Sequence, residues 1–258
     1  MKSADPAVTL AALQQMKVDR RKIVGVVAWD YQMAQIVDRA GVDLVSVGDT
    51  VGVNLWGHTH PLEVTLDEMV IVCKAVRRGV KRALLSCDFP YGPLQEGTAT
   101  ALRAAIRLVK EAGADMIKLD GAADFPDVVE ALVRAGIPVF AQFGITPQMQ
   151  TRLLEEAKRL EGAGAALLDF TNSGPAAGAA VAAAVRIPVI GGFGGGPWLD
   201  GRMRLAHGAI GYAASSIDAE VETYANVARI ALDAITAYAG DVRAARQIKG
   251  APPMKTAP

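Results

Sequence analysis

Residues 43–50 read Asp43-Leu-Val-Ser-Val-Gly-Asp49-Thr50. A short apolar run of β-forming residues stops abruptly at a glycine and a carboxylate. Leu44 to Val47 suit a strand buried on both faces, as in a parallel sheet covered by helices. The acid falls where such a strand would reach its C-terminal end. Ala83-Leu-Leu-Ser-Cys-Asp88 and Met116-Ile-Lys-Leu-Asp120 repeat the plan.

Outward from this stretch, the unit of helix, glycine stop and short apolar strand recurs about eight times, every ~25–30 residues. Ala-Gly pairs at 40–41 and 112–113 close helices, glycine being the usual residue past a helix end. Strands are expected at 23–29, 44–47, 83–88, 116–120, 138–143, 166–171 and 188–193, with a weaker last one near 209–212. A closing helix is expected over 218–238. Alternating strands and helices joined by short loops imply a parallel sheet. Eight such strands most simply close into an α/β (β/α)8 TIM barrel, whose active site lies at the C-terminal strand ends. An open doubly wound sheet competes, but its ligands gather at one switch point, whereas here several successive strands end in carboxylates. The reading is a single domain: residues 1–240 form the barrel with an N-terminal helix, and 241–258 a C-terminal tail.

A chain of 258 residues, 51% hydrophobic, has enough apolar surface for one such core. Lys+Arg and Asp+Glu both number 27, which gives no global field for nucleic acid or a membrane surface. Cys73 and Cys87 are too few for a disulfide framework or a zinc cluster and read as small core hydrophobes. No apolar run reaches the ~20 residues of a membrane span, and the amino terminus lacks the pattern of a secretory signal. The expected setting is cytoplasmic.

Three carboxylates brought to one barrel mouth repel each other unless a cation lies between them. Hard oxygen donors favour Mg2+ or another divalent cation at Asp49, Asp88 and Asp120. The competing role is that each Asp caps the helix after its strand. Strand side chains alternate, so inward Asp49, Asp88 and Asp120 would carry Val47, Ser86 and Lys118 inward too. A lysine inside a barrel is costly unless it is paired or functional. His58 and His60 form a His-x-His pair with no third soft ligand nearby, a weak metal signal. Gly191-Gly-Phe-Gly-Gly-Gly196 lacks the residues of a phosphate loop and reads as close backbone packing.

The chain also resembles the ketopantoate hydroxymethyltransferase (3-methyl-2-oxobutanoate hydroxymethyltransferase) family, of the phosphoenolpyruvate mutase/isocitrate lyase superfamily. The likeness runs from about residue 8 to about residue 213. It is carried by Trp29-Asp30-Tyr31, Val47-Gly48-Asp49-Thr50, Gly57-His58, Val76-Arg77-Arg78-Gly79, Asp88-Phe89-Pro90, Lys118-Leu119-Asp120-Gly121, Gly144-Ile145-Thr146-Pro147-Gln148 and Ile187-Pro188-Val189-Ile190-Gly191. The resemblance implies the barrel, Asp49 and Asp88 as metal ligands, and Asp120 in place of a ligating glutamate. It implies Thr50 as a substrate-binding residue and Lys118 as an active-site lysine. The implied reaction is an aldol addition to a small-molecule 2-oxo acid, with methylenetetrahydrofolate as one-carbon co-substrate, in a homo-oligomer. Two positions depart from the family pattern. Thr171 stands where the catalytic glutamate is expected, which makes Asp169, two residues earlier on the same face, the other candidate base. Gln142 stands where a histidine is expected and is assigned to substrate binding. The alternatives are a Mg-dependent aldolase or lyase acting on another 2-oxo acid, or a catalytically impaired binding paralogue.

Overall fold

Eight parallel strands close on themselves in the computed structural model, which describes residues 6–145, 149–192, 195–220 and 222–250. In order they are β1 (Ile23–Val27), β2 (Leu44–Val47), β3 (Leu84–Asp88), β4 (Met116–Leu119), β5 (Val139–Phe143), β6 (Leu167–Phe170), β7 (Val189–Gly191) and β8 (Gly201–Leu205). Each pairs with the next, and β1 also pairs with β8, which excludes the open sheet. Between them run α1 (Leu10–Val18), ahead of β1, then α2 (Tyr31–Arg39), α3 (Leu66–Gly79), α4 (Thr98–Lys110), α5 (Pro126–Arg134), α6 (Gln150–Gly162) and α7 (Pro175–Ala184). All of this lies in one compact unit, Met1–Ala206.

Local chemistry sets these boundaries. Thr65 opens α3 with a capping box, its hydroxyl accepting from the Glu68 N–H while the Glu68 carboxylate accepts from the Thr65 N–H. Asp30 caps α2 by accepting from the Met33 N–H at 2.8 Å. At the opposite end of the barrel, acids at strand starts accept from the neighbouring strand's backbone. Asp43 takes the Val24 N–H at 3.0 Å, Asp115 the Leu85 N–H at 2.9 Å, and Asp200 the Val189 N–H at 2.8 Å. Lys17 of α1 adds an ion pair to Asp200 at 2.8 Å, fastening that helix to the barrel.

The last strand differs from expectation. Residues 209–212 form no strand; β8 is Gly201–Leu205, followed directly by a short helix, α8 (Ala206–Ile210). In Gly201-Arg-Met-Arg-Leu205 the two arginines are exposed while Gly201 and Met203 are buried. That alternation is the mark of a strand covered on one face only, and it hid β8 from a search for apolar runs. The second compact unit, His207–Pro258, contains α9 (Val227–Arg243), which begins nine residues later than expected. Asn226 sets its start by accepting from the Arg229 N–H at 3.0 Å. Of the expected tail, 241–258, residues 241–243 belong to α9 and those beyond 250 lie outside the described residues. No described helix is long and apolar enough to cross a membrane.

The β1–β8 seam depends on Gly201, where a Cβ would lie 2.4 Å from the Ile23 carbonyl oxygen. Gly201→Ala should therefore wedge the closing strand pair and lower the unfolding free energy by about 1–3 kcal/mol, the usual range for overpacking, in a urea titration.

Candidate active site

Strand alternation aims one set of polar side chains into the barrel: Ser46 of β2, Ser86 and Asp88 of β3, Lys118 of β4, Gln142 of β5 and Asp169 of β6. Each is at most 6% exposed. The contacts confirm the direction, because Lys118 Nζ lies 3.8 Å from Asp169 Oδ2 although β4 and β6 are not neighbours. Only a path through the interior joins them.

Lys118 is the hub. Its ammonium is 3.2 Å from Asp88 Oδ2 and donates a short hydrogen bond to Asp120 Oδ1. Burial works against its charge, but the Asp120, Asp88 and Asp169 carboxylates outweigh that cost and hold it protonated, well above the ordinary lysine range. The acids remain in excess. Burial, reinforced by the neighbouring carboxylates, pushes Asp49 up to about 6 and Asp88 to about 8 against the pull of Lys118. Burial likewise raises Asp169 to about 6, opposed first by Lys118 and then by hydrogen bonds from the Gly192 N–H, at 3.1 Å, and from Gln142.

Asp49, Asp88 and Asp120 each offer an oxygen, and the three oxygens lie within 4.8 Å of one another. None of the three caps a helix. The residues before α3, α4 and α5 are Thr65, Gly97 and Phe125; the aspartate with the capping role is Asp30, just ahead of α2. The all-oxygen donor set and the surplus negative charge fit a hard divalent cation.

Other expected residues take specific places. Thr50 follows Asp49 in the turn after β2, and its backbone N–H donates to the Asp49 carboxylate. Gln142 Oε1 accepts from the Gly121 N–H at 3.3 Å, so it braces the loop after β4 as well as Asp169. Thr171 is buried, with a hydroxyl that has no hydrogen-bond partner among the described residues. On β2 it is Ser46, not Val47, that meets Asp88 inside the barrel at 3.1 Å. The strand ends at Val47, so the two-residue alternation does not extend to Asp49. His60 Nδ1 accepts from the Leu62 N–H at 3.2 Å as a turn cap, and neither His58 nor His60 joins a metal-ligating cluster among the described residues. Of the Gly144–Gln148 motif, residues 146–148 lie outside the described residues, as do 193–194 of the glycine stretch.

Sequence reading missed Ser46 and Gly192. The signal for Ser46 was a hydroxyl interrupting an apolar strand. Gly192 gave none, because its role is an absence: a Cβ there would come within 2.9 Å of Asp169 Oδ1 and displace the carboxylate from the N–H it accepts.

Fold and site together define a (β/α)8 barrel with a lysine-braced acidic cluster at the C-terminal ends of its strands, the usual place of an enzyme site in this fold. A family model described as ketopantoate hydroxymethyltransferase matches residues 7–247, and the chain belongs to that family. It is 38% identical over 254 residues to the 3-methyl-2-oxobutanoate hydroxymethyltransferase of Salinibacter ruber, covering 92% of this chain and 96% of the relative. It is 37% identical over 255 residues to the protein of the same name from a Cyanothece species, with the same coverage. Among solved structures, phosphonopyruvate hydrolase in complex with oxalate and Mg2+ superposes with a TM-score of 0.64 at 14% identity, over 96% of this chain and 92% of that one. A 2,3-dimethylmalate lyase of the phosphoenolpyruvate mutase/isocitrate lyase superfamily gives 0.64 at 13% identity, over 97% and 90%. At these identities the two structures share the fold.

The raised Asp169 carboxyl has a measurable consequence. A carboxyl that titrates near 6 folded and near 4 unfolded binds more protons in the folded state between those values, so stability falls as pH rises through that window. In the metal-free protein, Asp169→Asn should flatten the fall and gain up to about 3 kcal/mol over the parent by pH 8. Chemical denaturation at pH 4, 6 and 8 reads this directly, and parallel curves for the two proteins would refute it.

Proposed function

We propose that this chain is a metal-dependent hydroxymethyltransferase that adds a one-carbon unit to a 2-oxo acid, with 3-methyl-2-oxobutanoate as substrate and methylenetetrahydrofolate as donor. The observation that carries the reading is the convergence of Asp49, Asp88 and Asp120 around Lys118 at the mouth of the barrel.

Asp49 and Asp88, with Asp120, would hold Mg2+ or a similar divalent cation. Bound there, such an ion supplies Lewis-acid polarisation of the substrate's oxygens and so makes the C3 proton easier to remove. Lys118 stays protonated among its carboxylates, which suits it to balance the charge of an anionic substrate and not to act as an amine nucleophile. Asp169 is the base of this proposal: its raised carboxyl, held by the Gly192 N–H and Gln142, can take the C3 proton near neutral pH. Thr171 cannot take a proton there, but its unpartnered hydroxyl is free to donate to a substrate oxygen. Thr50, beside Asp49, and Gln142 complete the substrate side. The replacement of a family glutamate by Thr171 favours one second reading, the same chemistry on a different 2-oxo acid. The family resemblance also suggests a homo-oligomer.

Calorimetry with Mn2+ tests the cation site. The parent protein should bind, and Asp49→Asn and Asp88→Asn should each abolish binding while leaving the barrel folded, since each relieves repulsion. Unchanged affinity in both variants would rule the site out.

Exchange of the C3 proton of 3-methyl-2-oxobutanoate with D2O, followed by NMR in Mg2+, tests the base. The parent should exchange it, and Asp169→Asn should slow exchange about 10²–10⁴-fold, the usual loss on removing a general base. Adding Thr171→Glu to Asp169→Asn should recover part of the rate. Exchange in the parent with another 2-oxo acid but not this one would favour the second reading.

A further inference from the structure

Two hydroxyls inside the barrel have no part in the chemistry above. Ser46 of β2 and Ser86 of β3 are paired in register, 1% and 0% exposed, with their oxygens 2.7 Å apart. Ser46 Oγ lies 3.1 Å from Asp88 Oδ1. The ligating form of Asp88 fixes the direction of this chain. An ionised carboxylate has no proton to give, so Ser46 donates to Asp88 and is left to accept from Ser86.

The chain ends on one oxygen of one acid. The other oxygen, Asp88 Oδ2, faces Lys118 Nζ at 3.2 Å. Asp88 is thereby held from both sides, by Ser46 on the preceding strand and Lys118 on the following one. The other two acids have their described bonds from one residue each: Asp49, in a turn beyond β2, from the Thr50 N–H, and Asp120, with a side chain 37% exposed beyond the end of β4, from Lys118. Asp88 is the anchored member of the trio.

We infer that Ser46, backed by Ser86, is a positioning residue for the cation site. It fixes the plane of the Asp88 carboxylate so that its oxygen meets those of Asp49 and Asp120. The inference rests on the reading of these three acids as a cation site. Partners that orient a ligating group typically change metal affinity 10–100-fold when removed.

The Ser46→Ala, Ser46→Ala/Ser86→Ala and Ser86→Ala forms of the full chain, freed of metal by chelation, would be titrated with Mn2+ by calorimetry and melted without metal. Ser46→Ala should weaken binding about 10–100-fold. Ser86→Ala, which leaves the bond to Asp88 in place, should weaken it less. The double variant is decisive, because it leaves neither hydroxyl orphaned and only Asp88 Oδ1 loses a donor, so without metal it should melt no lower than Ser46→Ala. A role confined to satisfying buried hydroxyls predicts parental Mn2+ affinity in that variant, and this result overturns the inference. Affinity 10–100-fold below the parent, in a double variant that still melts cooperatively and no lower than Ser46→Ala, supports it. Absence of Mn2+ binding in the parent would instead remove the cation site itself, and the inference with it.

Discussion

Lys118 and the acids around it are a mutual necessity. An ammonium on the inner face of a barrel is sustainable only if carboxylates replace its lost hydration, and Asp88 of β3, Asp120 just beyond β4 and Asp169 of β6 do so. The acids in turn exceed the one ammonium, since Asp49 joins them. The cluster thus holds more carboxylates than its one ammonium balances, the charge pattern that suits a hard cation.

The same residue type plays opposite parts at the two ends of the strands. At the starts, Asp43, Asp115 and Asp200 each accept a backbone N–H from the adjacent strand and lock the register. These acids face hydrogen-bond donors, and their charge is balanced locally, Asp115 by Arg77 and Asp200 by Lys17. At the ends, the acids face each other. Register at one end of the barrel is what converts sequence position into convergence at the other.

Membership of the ketopantoate hydroxymethyltransferase family fixes the setting, and the interior polar residues give this chain its individual character. Asp169 stands beside Gln142 in register, seated against Gly192, while Thr171 presents a hydroxyl where an acid would be expected. The carboxylate nearest that hydroxyl on the inner face is therefore held one layer further into the barrel. Its position there is maintained by close backbone approach, which a single methyl group at Gly192 would prevent.

Much of this was legible in the chain. The apolar runs of β2 to β6 are long enough and buried on both faces, so their composition alone declares them. Asp49, Asp88, Asp120 and Lys118 stand out because charge at the end of such a run has few structural excuses. The last strand was not legible, because Arg202 and Arg204 keep one face in water and break the run. Nor was the inward turn of Ser46 in place of Val47, since alternation counts from the strand end and the strand ends before Gly48. Which acids cap, which staple and which converge is decided by register and closure, because an oxygen's partners are set by distances of about 3 Å that no spacing along the chain can specify.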